Sequence, residues 1–219
     1  MKLPRTPLAV ILDLDGLLID SEQLVFEAMR QVAPRFGQSI DLPFFLTLVG
    51  HSRADSDQRL IVQFGADFPL ADFHAATSAH ITGAAAPGAA LKAGVREVLD
   101  VLDARCLKRA LCTSSGPDWV RRHFEVHELT DRFNAVIKRG DYVNAKPHPE
   151  PYFNAAAALG VAPQDCLALE DSHNGVRSAH AAGMMTIMVP DMLAPNEEMQ
   201  AKTIHIAQSL HDVAALLSA

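Results

Sequence analysis

Between Leu8 and Leu14 the chain places six apolar residues and one carboxylate, Asp13, and a second acid, Asp15, follows at once, ahead of Gly16. Such a run reads as a strand buried on both faces, the kind found in parallel sheets covered by helices. Buried carboxylates at the end of that strand are costly unless they are paired or bound to a metal. A cation is therefore expected beside them: a metal ion, a lysine, or both.

Further short apolar runs read as buried strands: 110–113, 135–137, 166–169 and 184–189, with a weaker one at 203–206. Helical patterns lie between them. Val95, Val98, Leu99 and Leu102 share one helix face, and the alanine-rich stretch 151–159 ends at Gly160. Alternating strands and helices predict an α/β fold with a parallel sheet. The first connection is anomalous. A crossover between neighbouring parallel strands needs only about a dozen residues, yet the second strand begins near Lys108. The interval contains helical patterns over 22–36, 53–64 and 71–85, punctuated by Pro43, Gly65, Pro69 and Pro87-Gly88. Residues 20–90 are thus expected to form a helical cap, with 1–19 and 91–219 as the core. Such an insert is expected above the carboxyl edge of the sheet, where open α/β folds bind ligands.

Composition narrows the classes. The net charge of −7 argues against a nucleic-acid binder, which rests on a basic surface. No apolar stretch approaches the ~18 residues of a membrane span, and residues 1–7 carry no apolar stretch of the secretory kind. Cys106, Cys112 and Cys166 lack zinc spacing and read as buried reduced thiols. A cytoplasmic, monomeric enzyme is expected.

In a parallel sheet the residues following each strand gather at one edge. Here they are Asp13, Asp15 and Gly16; Thr113, Ser114 and Ser115; Lys146; and Glu170, Asp171 and Ser172. The acids suit a hard cation with oxygen ligands, Mg²⁺ being the usual one. Ser115 or Gly116, followed by Pro117, opens a helix whose N-terminus favours an anion. Metal, lysine and helix end together suit a phosphate. Asp13 then reads as an in-line nucleophile forming an aspartyl-phosphate, and Asp15 as the group that protonates the leaving oxygen and later deprotonates water.

The set Asp13-x-Asp15-Gly16, Thr113, Lys146-Pro147 and Glu170-Asp171 resembles the haloacid dehalogenase-like hydrolase superfamily in order and approximate spacing. The resemblance is nearest to the phosphatase/β-phosphoglucomutase branch with a helical cap, and to its pseudouridine-5′-phosphatase-like group. It implies a Rossmann-like core and Mg²⁺ held by Asp13, the Asp15 carbonyl, Glu170 and Asp171. It also implies a phosphoryl group oriented by Thr113 and Lys146. The second aspartate, Asp15, argues against dehalogenation, because a halide leaves without a proton. A phosphosugar mutase is the alternative: Gly50-His-Ser-Arg53 resembles the mutases' sugar-contacting loop. The histidine and lysine expected in mutase caps are Val25 and Val49 here, which favours hydrolysis of a small phosphorylated metabolite. Gly16, Ser114, Ser115 and Arg53 are the expected substrate contacts. Asp20 or Ser21 reads as a helix cap, His148 as a turn residue, and Trp119, early in a helix, as packing.

Overall fold

Ala9–Leu12 form β1, wholly buried, hydrogen-bonded in parallel to a strand on either side. The computed structural model describes residues 3–51, 53–83 and 88–218. Ser52, Pro87 and the last residues of the helix expected to reach Ala85 lie outside them.

The chain divides into two units, Met1–Ile19 with Ala90–Ala219, and Asp20–Ala89. The second unit contains α1 (Ser21–Val32), α2 (Leu42–Leu46), α3 (Arg53–Phe64) and α4 (Leu70–Gly83). The helix expected over 22–36 stops early. Pro34 has no N–H to continue the α-helical ladder, so Ala33–Phe36 tighten into a 3₁₀ turn that ends at left-handed Gly37. The short α2 was not expected. Asp41 caps it by accepting the Phe44 N–H at 2.9 Å, and Pro43 sits in its first turn. A cluster of rings that includes Phe36, Phe64, Phe68 and Phe73 packs this unit, edge to face at Phe36 and tilted elsewhere, with neighbouring centroids 5.0–6.2 Å apart.

In the first unit follow α5 (Val95–Ala104), β2 (Lys108–Cys112), α6 (Pro117–Val126), β3 (Ala135–Ile137), α7 (Glu150–Leu159), β4 (Cys166–Glu170), α8 (His173–Ala181), β5 (Met185–Met188), α9 (Glu197–Lys202), β6 (His205–Ile206) and α10 (Leu210–Ser218). The six strands form one parallel sheet in the order β3-β2-β1-β4-β5-β6. The order reverses at β1, so the crevice on either side of its carboxyl end is a topological switch point. The fold is α/β as the alternation of strands and helices predicts.

The ladders end sooner than the apolar runs do. Leu14, Leu17, Leu18 and Ile19 are also buried, but in a tight turn where the N–H groups of Leu18 and Ile19 both donate to the Leu14 carbonyl. Hydrophobicity marks burial there, not strand. Cys106 corrects the reading of all three thiols as buried: it is exposed, in the turn after α5, while Cys112 and Cys166 are buried in strands. No helix among the described residues is long and apolar enough to cross a membrane.

On one face of the sheet Ala9, Ile11, Ala110, Cys112 and Ala168 pack with Tyr152, Ala155, Ala156 and Leu159 of α7. Alanines on both sides allow close approach of helix and sheet, so little room remains for relaxation. Ile11→Ala is expected to lower stability by about 2–5 kcal/mol, the usual cost of a core cavity that cannot collapse, measurable as a shift in the urea unfolding midpoint.

Candidate active site

The sheet fixes the backbone of the acids before any side chain is considered. Asp13 stands one residue beyond β1, with its N–H still donating to the Leu169 carbonyl at 3.1 Å. Thr113 stands one beyond β2 and donates to Ile137 at 2.9 Å. Glu170 ends β4 and Asp171 follows it. The parallel register therefore carries Asp13, Thr113, Glu170 and Asp171 to one edge.

Lys146 meets them with all three ammonium hydrogens. Its Nζ donates to Asp13 Oδ1 at 2.7 Å, to Glu170 Oε1 at 2.6 Å and to the Cys112 carbonyl at 2.8 Å. Its side chain is only 6% exposed, and the ring of Tyr152 lies 5.1 Å below the charge. Both Glu170 oxygens are engaged: Oε1 also accepts from the Tyr152 hydroxyl at 2.6 Å, and Oε2 accepts from the Ser172 hydroxyl at 3.1 Å. The same Ser172 oxygen caps α8 by accepting the Gly175 N–H at 3.1 Å. Burial, together with Glu170 and Asp15, pushes the Asp13 carboxyl up to about 8 against the opposing pull of Lys146. Burial also pulls the Lys146 ammonium down, but Asp13 and Glu170 outweigh it and hold the group well above the ordinary lysine value.

Asp13, Glu170 and Asp171 are buried, and each brings one oxygen into a group lying within 4.8 Å of one another. Lys146 pairs with two of these three buried acids, Asp13 and Glu170, and a divalent cation would offset the negative charge gathered there. The donors are all oxygen, which suits a hard ion. Two glycines make room for this packing. A Cβ on Gly16, whose φ is +84°, would stand 2.3 Å from Asp171 Oδ2. A Cβ on Gly175 would stand 1.9 Å from the Glu170 carboxyl carbon.

Asp15 lives in different surroundings, among neutral donors. Trp119 Nε1 donates to its Oδ1 at 2.8 Å, the Ser115 hydroxyl to its Oδ2 at 2.6 Å, and the Thr113 hydroxyl to Oδ2 at 3.3 Å. Trp119 is thus more than the packing residue its place in a helix suggested. Its spacing gave only a helix face, and its polar edge points to an acid 104 positions away. Gly116 is the N-cap of α6 with Pro117 in the first turn, and no side chain caps that end.

The other expected contacts divide. Ser115 joins the Asp15 group, whereas Ser114 is exposed. Arg53 belongs to the second unit, where it pairs with Asp57 at 3.3 Å. His148 is a turn residue: its Nδ1 accepts the Glu150 N–H at 3.2 Å. Asp20 occupies the N-cap position of α1 without a side-chain cap bond. Sequence reasoning missed Tyr152 and Gly175, which no local pattern distinguishes from ordinary helix residues. Asp191 lies beside Gly16 and pairs with Lys92.

The family model described as haloacid dehalogenase-like hydrolase matches residues 10–189. A Drosophila melanogaster protein named "Probable pseudouridine-5'-phosphatase" is 31% identical over 211 residues, covering 93% of this chain and 89% of its own. Hexitol phosphatase B of Escherichia coli strain K12 is 32% identical over 216 residues, covering 90% of each. The crystal structure of CbbY from Rhodobacter sphaeroides in complex with phosphate shares the fold. It has a TM-score of 0.81 at 23% identity, covering 98% of this chain and 100% of its own.

Gly175→Ala separates two opposed effects. Alanine favours a helix interior over glycine by about 0.5–1 kcal/mol, but its Cβ would collide with Glu170. Net destabilisation of about 1–3 kcal/mol is expected from this overpacking, read from the urea midpoint.

Proposed function

The chain belongs to the haloacid dehalogenase-like hydrolase family, and from that premise we propose that it is a Mg²⁺-dependent phosphatase cleaving a small phosphomonoester through an aspartyl-phosphate on Asp13. The observation that carries this reading is the buried group of Asp13, Glu170, Asp171 and Lys146 at the end of the central strand. The substrate class is a sugar phosphate or nucleoside monophosphate, in keeping with the two phosphatase names among the relatives.

Asp13, the Asp15 carbonyl, Glu170 and Asp171 are the residues that would hold Mg²⁺. When bound, the ion supplies positive charge that offsets the repulsion between a carboxylate and a phosphate. Lys146 adds to that charge, and its three fixed hydrogen bonds keep it from drifting as charge moves. Asp13 attacks phosphorus in line, and the ester oxygen leaves with a proton from Asp15. Asp15 then takes a proton from the water that attacks the same phosphorus. That attack releases inorganic phosphate and restores the Asp13 carboxylate. Thr113, Ser114, Ser115 and the Gly16 turn are the proposed phosphoryl contacts. Asp20–Ala89 is the proposed cap, with Arg53 its proposed substrate contact.

Chelation with EDTA is expected to abolish phosphate release from a panel of alkyl phosphates, and added Mg²⁺ to restore it. Asp13→Asn is expected to remove activity while leaving the unfolding midpoint nearly unchanged or raised, since it relieves a buried charge. Turnover retained in that variant, or phosphate found by mass spectrometry on another residue, sinks the mechanism. Conversion of a hexose 1-phosphate to its 6-phosphate without free phosphate would point to a mutase instead.

A further inference from the structure

We propose that Trp119 is a positioning residue for Asp15, one that reserves Oδ2 as the oxygen that carries the proton. The inference rests on the reading of Asp15 as proton carrier and goes beyond it by assigning the oxygen and the group that selects it.

Hydrogen-bond direction distinguishes the two Asp15 oxygens. An indole N–H can only donate. Trp119 Nε1 lies 2.8 Å from Asp15 Oδ1, so it takes one lone pair of Oδ1 and can never accept a proton placed on that oxygen. Oδ2 faces the hydroxyls of Ser115 at 2.6 Å and Thr113 at 3.3 Å. A hydroxyl that donates to a carboxylate can turn and accept from a carboxylic acid. Oδ2 therefore has partners that can reverse direction with its protonation, and Oδ1 has one that cannot. The tryptophan holds the carboxyl plane fixed while the hydroxyl partners adapt.

Trp119 is itself braced. The ring of His123, fully buried, lies with its centroid 4.2 Å from that of Trp119, and His123 Nδ1 is 2.9 Å from the Trp119 carbonyl oxygen. Both residues belong to α6, which starts directly after the turn that carries Thr113 and Ser115. One short segment thus supplies every donor named here for the Asp15 side chain. A ring present only to fill space would need no polar edge directed at an acid, and phenylalanine would serve.

The chemical step assigned to Oδ2 is balanced. As the bond from Asp13 to phosphorus forms and the ester bond breaks, the departing oxygen takes the Oδ2 proton. In the second step, water gives a proton back to Asp15 as its oxygen bonds to phosphorus and the Asp13–phosphorus bond breaks.

Loss of positioning matters most where a proton is most needed. In Trp119→Phe, kcat/KM for the best alkyl phosphate of the panel is expected to fall about tenfold. That for p-nitrophenyl phosphate, whose phenolate leaves without help, should fall less than about threefold. Benzothienylalanine at position 119, which replaces the N–H by sulfur and keeps the ring, should reproduce that contrast at an unchanged urea midpoint. Equal losses on both substrates, or wild-type rates in the benzothienyl variant, overturn the proposal and leave Trp119 as packing. Asp15→Asn separates the two readings. If it shows the leaving-group contrast and the Trp119 variants do not, only the positioning role fails. If it lacks the contrast, the reading of Asp15 fails and the proposal with it.

Discussion

The ammonium of Lys146 ties together the ends of three strands. One hydrogen goes to Asp13 beyond β1, one to Glu170 of β4 and one to the backbone of β2 at Cys112. A lysine buried to this degree would ordinarily shed its proton, because burial disfavours charge. Here the facing carboxylates keep it charged, and it keeps them tolerable in return. The chain must deliver it from a loop, and the loop is made to measure. Glu150 binds the N–H groups of Val143 and Asn144 at 2.7 and 2.9 Å, and Tyr142 donates to the Thr113 carbonyl at 3.1 Å.

Four acids gather at this edge, and their surroundings give them different characters. Glu170 has both oxygens engaged by protein donors, among them Tyr152 and Ser172, and so anchors the lysine. Asp13 sits beside formal charge, with the lysine on one oxygen. Asp15, only two residues on, sits among neutral donors, because the chain has by then left the strand for the turn at Gly16. Two acids of one type thus meet different partners, an ammonium at Asp13 and neutral donors at Asp15.

Much of this was legible in the sequence because it depends on position along a strand. Apolar runs located the strands, and the residues after them named the acids at the shared edge. The parallel register then brought Asp13, Thr113 and Glu170 together without further information. What stayed hidden depends on side-chain direction across long separations. Trp119 and Tyr152 each sit on an amphipathic helix as aromatic residues commonly do. Nothing nearby in the chain says that the indole N–H of one and the hydroxyl of the other end on acids. Gly175 was hidden for the opposite reason: its importance lies in what it lacks, and only the carboxylate pressed against it makes that visible. Strand ends were misread by a residue or two because the buried turn after β1 is as apolar as the strand.

The chain leaves the first unit at Ile19 and re-enters it at Ala90, and these two crossings are neighbours. Ile19 and Leu91 form an antiparallel bridge, and the Lys92 N–H donates to the Leu18 carbonyl at 2.9 Å. The core is thereby stitched shut across its own interruption. The entropy of closing a loop grows only with the logarithm of its length, so whatever is threaded between the two stitches adds little to the cost of forming the sheet. The gap between Ile19 and Leu91 behaves as a socket. Segments of other lengths and surfaces could be exchanged there while the charges at the strand ends keep their places.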